Sequence, residues 1–159
     1  MHAAKEKVSY FANRGSSGID GSLSTAVGSA IVSEKEHLFI SGDLSFVYDS
    51  NGLWNRNFPY NLKIIVLNDK GGGIFRLLDG PDKMSFFETF SVTSHPVSIR
   101  HLAEAFGLNY LFAGDADSLR LSLEEFVGDA EGPCVLEIDT SKRENSRIFK
   151  ELYKSLQNE

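Results

Sequence analysis

Two acidic residues follow apolar runs in this chain. Gly42-Asp43-Leu44-Ser45 closes one run, and Asn68-Asp69-Lys70-Gly71-Gly72-Gly73 closes another. Each segment puts a carboxylate just past the C-terminal end of a strand. Carboxylates are hard oxygen ligands suited to Mg2+ or Ca2+, and backbone carbonyls of the glycine turn can add another. A cation held there can in turn hold a diphosphate. Two carboxylates about 4 Å apart repel by roughly 4 kcal/mol at an effective dielectric near 20, so convergence calls for a cation or a proton. A helix beginning near Leu44 would aim its N-terminus at the same place and favour an anion. Spacing alone leaves a plainer alternative open, in which Asp43 simply N-caps that helix and Gly71 to Gly73 form an ordinary turn.

The elements that must position these turns alternate. Val8 to Ala12 reads as a short strand running into the polar turn Asn13-Arg14-Gly15-Ser16-Ser17-Gly18. Leu23, Ala26, Val27, Ala30 and Ile31 have helical spacing, with Asp20 or Ser22 as the cap. His37 to Ser41 is a strand, Leu44 to Asn57 a helix, and Leu62 to Leu67 a nearly all-apolar strand of the kind covered on both faces. The stretch from Arg76 to Val97 contains Pro81 and Pro96 and has no clear period. Loops this long are functional or mobile, and partial mobility is expected here. Ser98 opens a helix that Gly107 ends, and Asn109 to Ala113 is a strand. A helix capped near Asp115 or Asp117 follows, then a strand from Pro133 to Ile138. The terminal helix, Arg143 to Gln157, should turn Ile148, Leu152 and Leu156 inward. This alternation predicts an α/β fold: a doubly wound, mainly parallel sheet with helices on both faces. In such sheets ligands bind beyond the carboxyl ends of the strands, where the turns after Ala12, Ser41 and Leu67 all fall.

Composition narrows the function. The 159 residues suit a single domain, 1–159, with a sizeable core. A net charge of -6 argues against nucleic-acid binding, which needs a basic face. The same charge makes a polyanion a poor ligand unless a metal or partner chain supplies positive charge. The single cysteine, Cys134, excludes an internal disulfide framework and fits a cytoplasmic setting. There is no apolar run of about 18 residues, so no membrane span is expected. The chain starts almost on top of its first strand, which suggests an upstream domain.

Gly42-Asp43-Leu44-Ser45, with Asn68-Asp69-Lys70-Gly71 at a similar interval, resembles the thiamine-diphosphate motif, which begins Gly-Asp-Gly and ends Asn-Asn. Asn13-Arg14-Gly15-Ser16-Ser17-Gly18-Ile19-Asp20-Gly21 and Gly72-Gly73-Ile74-Phe75 narrow the resemblance to the 2-succinyl-5-enolpyruvyl-6-hydroxy-3-cyclohexene-1-carboxylate synthases of menaquinone biosynthesis. Their joint occurrence is far more specific than any one segment, and the resemblance runs over about residues 8 to 140.

The resemblance implies a transferase that decarboxylates 2-oxoglutarate and adds the succinyl unit to isochorismate. Its cofactors would be thiamine diphosphate and Mg2+ or Mn2+. Asp43 and Asp69 would bind the metal through side chains and Gly71 through its carbonyl. Gly42, Leu44 and Ser45 would lie along the diphosphate, and Ile19 and Ile74 against the cofactor. Arg14, Phe75 and Leu78 would bind substrate, Arg14 by pairing its guanidinium fork with a carboxylate. Two positions depart from the motif. Asp69 stands where Asn is usual and adds a negative charge near the diphosphate. Leu44 replaces the motif's final Gly.

Members of this family are longer and clasp the cofactor between domains of different subunits. No segment here resembles the pyrimidine-binding domain with its glutamate. The chain thus looks like the C-terminal, diphosphate-binding part of a homo-oligomeric enzyme, inactive by itself. The small-residue helix from Ser22 to Val32 would be one face left exposed for the missing domain.

Other classes fit less well. Acetolactate synthases and 2-keto acid decarboxylases lack the Asn13-Arg14-Gly15 signature and usually keep Gly after the motif Asp. A doubly wound phosphoacceptor module would want an acidic pair near the first strand and a lysine at a late strand end. His37, His95 and His101 lack metal-ligand spacing and read as structural or exposed. Cys134 reads as buried and inert. Trp54 and Phe86-Phe87 read as packing or interface residues, and Glu124-Glu125 and Asp79 with Asp82 as solvated surface.

Overall fold

A computed structural model of the chain describes residues 8–13, 18–77, 85–128, 132–141 and 144–157. Four strands, β1 (His37–Gly42), β2 (Leu62–Asn68), β3 (Asn109–Ala113) and β4 (Cys134–Asp139), form one sheet in the order β1-β2-β4-β3. Every pairing is parallel, with Ile40 opposite Ile65 and Ile64 opposite Val135. The helices are α1 (Ser22–Ile31), α2 (Asp43–Tyr48), α3 (Ile99–Ala105), α4 (Ala116–Val127) and α5 (Asn145–Gln157). The expected doubly wound architecture is therefore present, with two apolar clusters on opposite faces of the sheet.

On one face Leu62, Ile64, Val66 and Val135 pack against Leu23 and Val27 of α1, Phe46 of α2 and Ile99 and Ala103 of α3. On the other, Cys134 and Leu136 of β4 and Ala113 of β3 pack against Phe126 of α4, with Leu119 and Leu123 partly buried beside them. Cys134 is buried as expected, and burial lifts its thiol to about 11. β2 is covered fully on the α1 side only. Leu67 on its other side is exposed, together with Leu38 and Ile40 of β1.

Helix ends follow local chemistry in most places. Ser98 caps α3 by accepting from the His101 amide at 3.2 Å, and Gly107 takes the left-handed φ of 74° just beyond it. Asp115 and Ser118 form a reciprocal capping box at the start of α4. β4 begins at Cys134, not at Pro133, because proline has no N–H for the ladder.

Four expectations need correction. Residues 8–13 form no strand: Val8, Tyr10 and Phe11 are exposed, and no described strand pairs with them. Neither Asp20 nor Ser22 caps α1; its N-cap is Gly21 at φ 74°, without a side-chain bond. The acceptor comes from another element, where buried Asp49 takes the Ser24 amide and hydroxyl, each at 2.7 Å. The helix expected from Leu44 to Asn57 is two short pieces, α2 and a 3-10 turn from Ser50 to Leu53, joined through Asp49. Finally, α5 does not turn its apolar stripe inward. Ile148, Leu152 and Leu156 are at least half exposed, since α5 lies against the short Gly73–Leu77 helix and not on the sheet.

The stretch after Arg76 is not featureless. Its described part holds a π-helical turn, Phe87–Val92, fastened by an Arg76–Glu88 ion pair at 2.8 Å and by the Gly72 amide donating to the Val92 carbonyl at 2.6 Å. Of the aromatic pair there, Phe87 is buried and Phe86 half exposed; Trp54 is exposed. Asp79 and Asp82 lie outside the described residues.

Candidate functional site

Parallel register brings the ends of β1 and β2 level, because Gly42 faces Leu67. Asp43 and the turn from Asn68 to Gly73 therefore leave the sheet side by side. Asp43 occupies the first turn of α2, whose N-cap is Gly42. Its carboxylate caps nothing in its own helix. It is almost fully buried, and its Oδ2 accepts the Gly71 amide at 2.8 Å and sits 2.9 Å from His95 Nε2. The N-capping alternative left open by spacing is thus answered by geometry. At six residues, α2 is too short for its dipole to add much to an anion site.

The second turn is built from below. Asn68 is fully buried, and its amide donates to Glu137 Oε1 at 2.7 Å. Tyr110 donates to the other Glu137 oxygen at 2.6 Å. Burial, then the hydrogen bond to Glu137, pushes the Tyr110 hydroxyl up, so it stays a donor. The Asn68 carbonyl oxygen of the side chain accepts the Lys70 amide at 2.9 Å, which holds Lys70 at its left-handed φ of 65°. Gly71 is packed so tightly that a Cβ would lie 2.8 Å from the Val92 carbonyl oxygen.

Asp69 is half-buried against Gly73, where a Cβ would collide with its Oδ2. Burial raises its carboxyl above the ordinary value, and the Asp43 charge raises it further. Arg76 acts in the opposite direction. The Asp43 charge therefore opposes ionisation of Asp69, an electrostatic demand that a divalent cation would meet.

The third turn joins through Ser45, whose hydroxyl donates to the Ile19 carbonyl at 2.7 Å. Leu44 is half-buried beside it. Among the described residues no atom beyond its chain neighbours lies within 4 Å of where a Gly42 Cβ would be, so open space borders the backbone at the end of β1. Ile19, Ile74 and Phe75 are exposed to 42%, 66% and 39%, more than a core position would leave them. Arg14 and Leu78 lie outside the described residues.

Three turns thus meet at one sheet edge and offer two carboxylates, backbone groups and an apolar rim. Among the described residues no cluster of three or more His, Cys, Asp or Glu side chains could hold a metal. The donor set fits a cation that draws part of its shell from phosphate and water, as Mg2+ does. A concavity along α4, lined by Ala116, Leu119, Leu123 and Val127, contains none of these residues. Residue chemistry, not cavity size, marks this edge.

Sequence reasoning missed His95 and the Asn68–Glu137–Tyr110 network. His95 reaches Asp43 across 52 positions of chain, and no local spacing signals that contact.

The family profile described as thiamine pyrophosphate enzyme, C-terminal TPP binding domain, matches residues 1–138. The chain belongs to this family. Three curated relatives are 2-succinyl-5-enolpyruvyl-6-hydroxy-3-cyclohexene-1-carboxylate synthases. The one from Flavobacterium johnsoniae is 48% identical over 149 residues, 94% of this chain and 27% of the relative. The one from Desulfotalea psychrophila is 48% identical over 146 residues, 89% of this chain and 27% of the relative. The one from Bacteroides fragilis is 38% identical over 160 aligned residues, 99% of this chain and 29% of the relative. The chain therefore spans little more than a quarter of these relatives. By that family description it is a TPP-binding domain. No helix among its described residues is long and apolar enough to cross a membrane.

Proposed function

We propose that this chain is the diphosphate-binding part of a thiamine-diphosphate-dependent synthase acting in the cytoplasm. The synthase decarboxylates 2-oxoglutarate and joins the succinyl unit to isochorismate. The observation that carries this is the bond from the Gly71 amide to buried Asp43, which ties the two motif turns into one acidic edge. The identity with synthases of that name, running along nearly the whole chain, supports the substrate choice.

In this reading Mg2+ or Mn2+ takes the side chains of Asp43 and Asp69 and the Gly71 carbonyl. Gly42, Leu44 and Ser45 border the diphosphate, with the open backbone at Gly42 giving room for it. Ile19 and Ile74 offer apolar support to the rings. Arg14 pairs with a substrate carboxylate, and Phe75 and Leu78 wall the substrate pocket. Thiamine diphosphate supplies the decarboxylation and carbon–carbon bond chemistry; this chain anchors, orients and neutralises charge. An N-terminal pyrimidine-binding domain of another subunit completes the site and supplies its glutamate.

The test is turnover. The full-length protein with thiamine diphosphate and Mg2+ should release carbon dioxide from 2-oxoglutarate and consume isochorismate. The isolated 159-residue chain should do neither. Turnover of pyruvate in place of 2-oxoglutarate, or 2-oxoglutarate decarboxylation by the isolated chain, contradicts the proposal.

A further inference from the structure

Among the described residues His95 is the histidine drawn into the acidic edge, and the tautomer of its neutral ring is legible from its partners. The Val97 amide donates to His95 Nδ1 at 3.2 Å. A ring nitrogen that accepts carries no proton, so the neutral ring bears its proton on Nε2. That nitrogen faces Asp43 Oδ2 at 2.9 Å. The Gly71 amide donates to the same oxygen at 2.8 Å. Two donors thus occupy Oδ2, and Oδ1 is the oxygen we assign to the cation. The pair is well shielded, with side-chain exposures of 11% for His95 and 2% for Asp43.

The backbone around His95 is held as well. Pro96 restricts His95 to extended conformations, and Thr93 sits in the left-handed region at φ 54°. The Val92 carbonyl accepts the Gly72 amide at 2.6 Å. The segment from Phe87 to Val97 therefore grips the glycine turn at one point and Asp43 at another.

We propose that His95 is a positioning residue for the metal-binding carboxylate of Asp43, and that through it the Phe87–Val97 segment is fastened when the cation binds. The proposal rests on the assignment of Asp43 as a metal ligand. Partners that orient a ligating group are worth about 10- to 100-fold in metal affinity.

The experiment is Mn2+ titration of the full-length protein at fixed thiamine diphosphate, read by electron paramagnetic resonance. Wild type, His95→Ala, His95→Gln and Asp43→Ala are compared. His95→Ala should weaken Mn2+ by about 10-fold or more, and His95→Gln, whose amide can donate to the same oxygen, should recover most of that loss. Hydrogen exchange at residues 87–97 should slow on Mn2+ binding in wild type and His95→Gln and not in His95→Ala. Loss of binding in Asp43→Ala with His95→Ala unchanged overturns the positioning role alone. Equal losses in both His95 variants, whether or not they fold, overturn it too. Unchanged binding in Asp43→Ala removes the metal-site assignment beneath it.

Discussion

Asp43 and Asp69 share a motif but differ in environment. Asp43 is buried and satisfied by the Gly71 amide and His95. Asp69 is half-buried, and its carboxyl is raised first by burial and then by Asp43. The sign of its pH effect follows. A raised native value means the folded state binds the Asp69 proton more tightly than the unfolded chain. The stabilisation is full below the unfolded value of 3.8 and is lost as pH rises through the raised value. At neutral pH without metal, the Asp69 charge is therefore a cost. Asp69→Asn should raise the melting temperature of the metal-free protein at pH 7, and the gain should vanish below about pH 4. Calorimetry with and without Mg2+ checks this, and Mg2+ should narrow the difference. A variant that melts lower than wild type at pH 7 in the absence of metal would contradict the electrostatic account.

At the scale of elements, the site depends on contacts that cross between segments. α1 has no cap of its own and borrows Asp49 from the bend after α2. Replacing Asp49 by Ala removes two short hydrogen bonds and leaves the Ser24 amide without its acceptor, at a cost of about 2 kcal/mol. Asp49→Asn, which keeps one acceptor oxygen, should cost less. Urea denaturation of both variants measures the difference, and equal stability of Asp49→Ala and wild type would refute the tertiary cap. The same case shows where sequence signals stop. The caps at Ser98 and Asp115 were legible because donor and acceptor are three residues apart. Asp49 and Ser24 are 25 positions apart, and His95 and Asp43 are 52 apart. Such pairs depend on the fold, so local pattern does not announce them. The strands that pair in the sheet were legible for the opposite reason: their apolar runs are continuous and bounded by turns.

At the scale of the whole molecule, several apolar surfaces are left open. α5 exposes Ile148, Phe149, Leu152, Tyr153 and Leu156, and the sheet exposes Leu38, Ile40 and Leu67. On α1 no described atom outside the helix lies within 4 Å of a Gly28 Cβ, and Thr25 and Ser29 beside it are exposed. The helical spacing of α5 was readable in the sequence, but which way its stripe faces was not, since periodicity defines a face without naming what covers it. The chain spans about 27% of the Flavobacterium johnsoniae synthase, and under the proposed function the pyrimidine-binding domain would supply such cover. The central claim, that the paired turns at Asp43 and Asp69 grip a metal diphosphate, is tested most directly by calorimetric titration of thiamine diphosphate with Mg2+ into the full-length protein. Wild type should bind saturably and Asp43→Ala should not; binding in Asp43→Ala equal to wild type would contradict the claim.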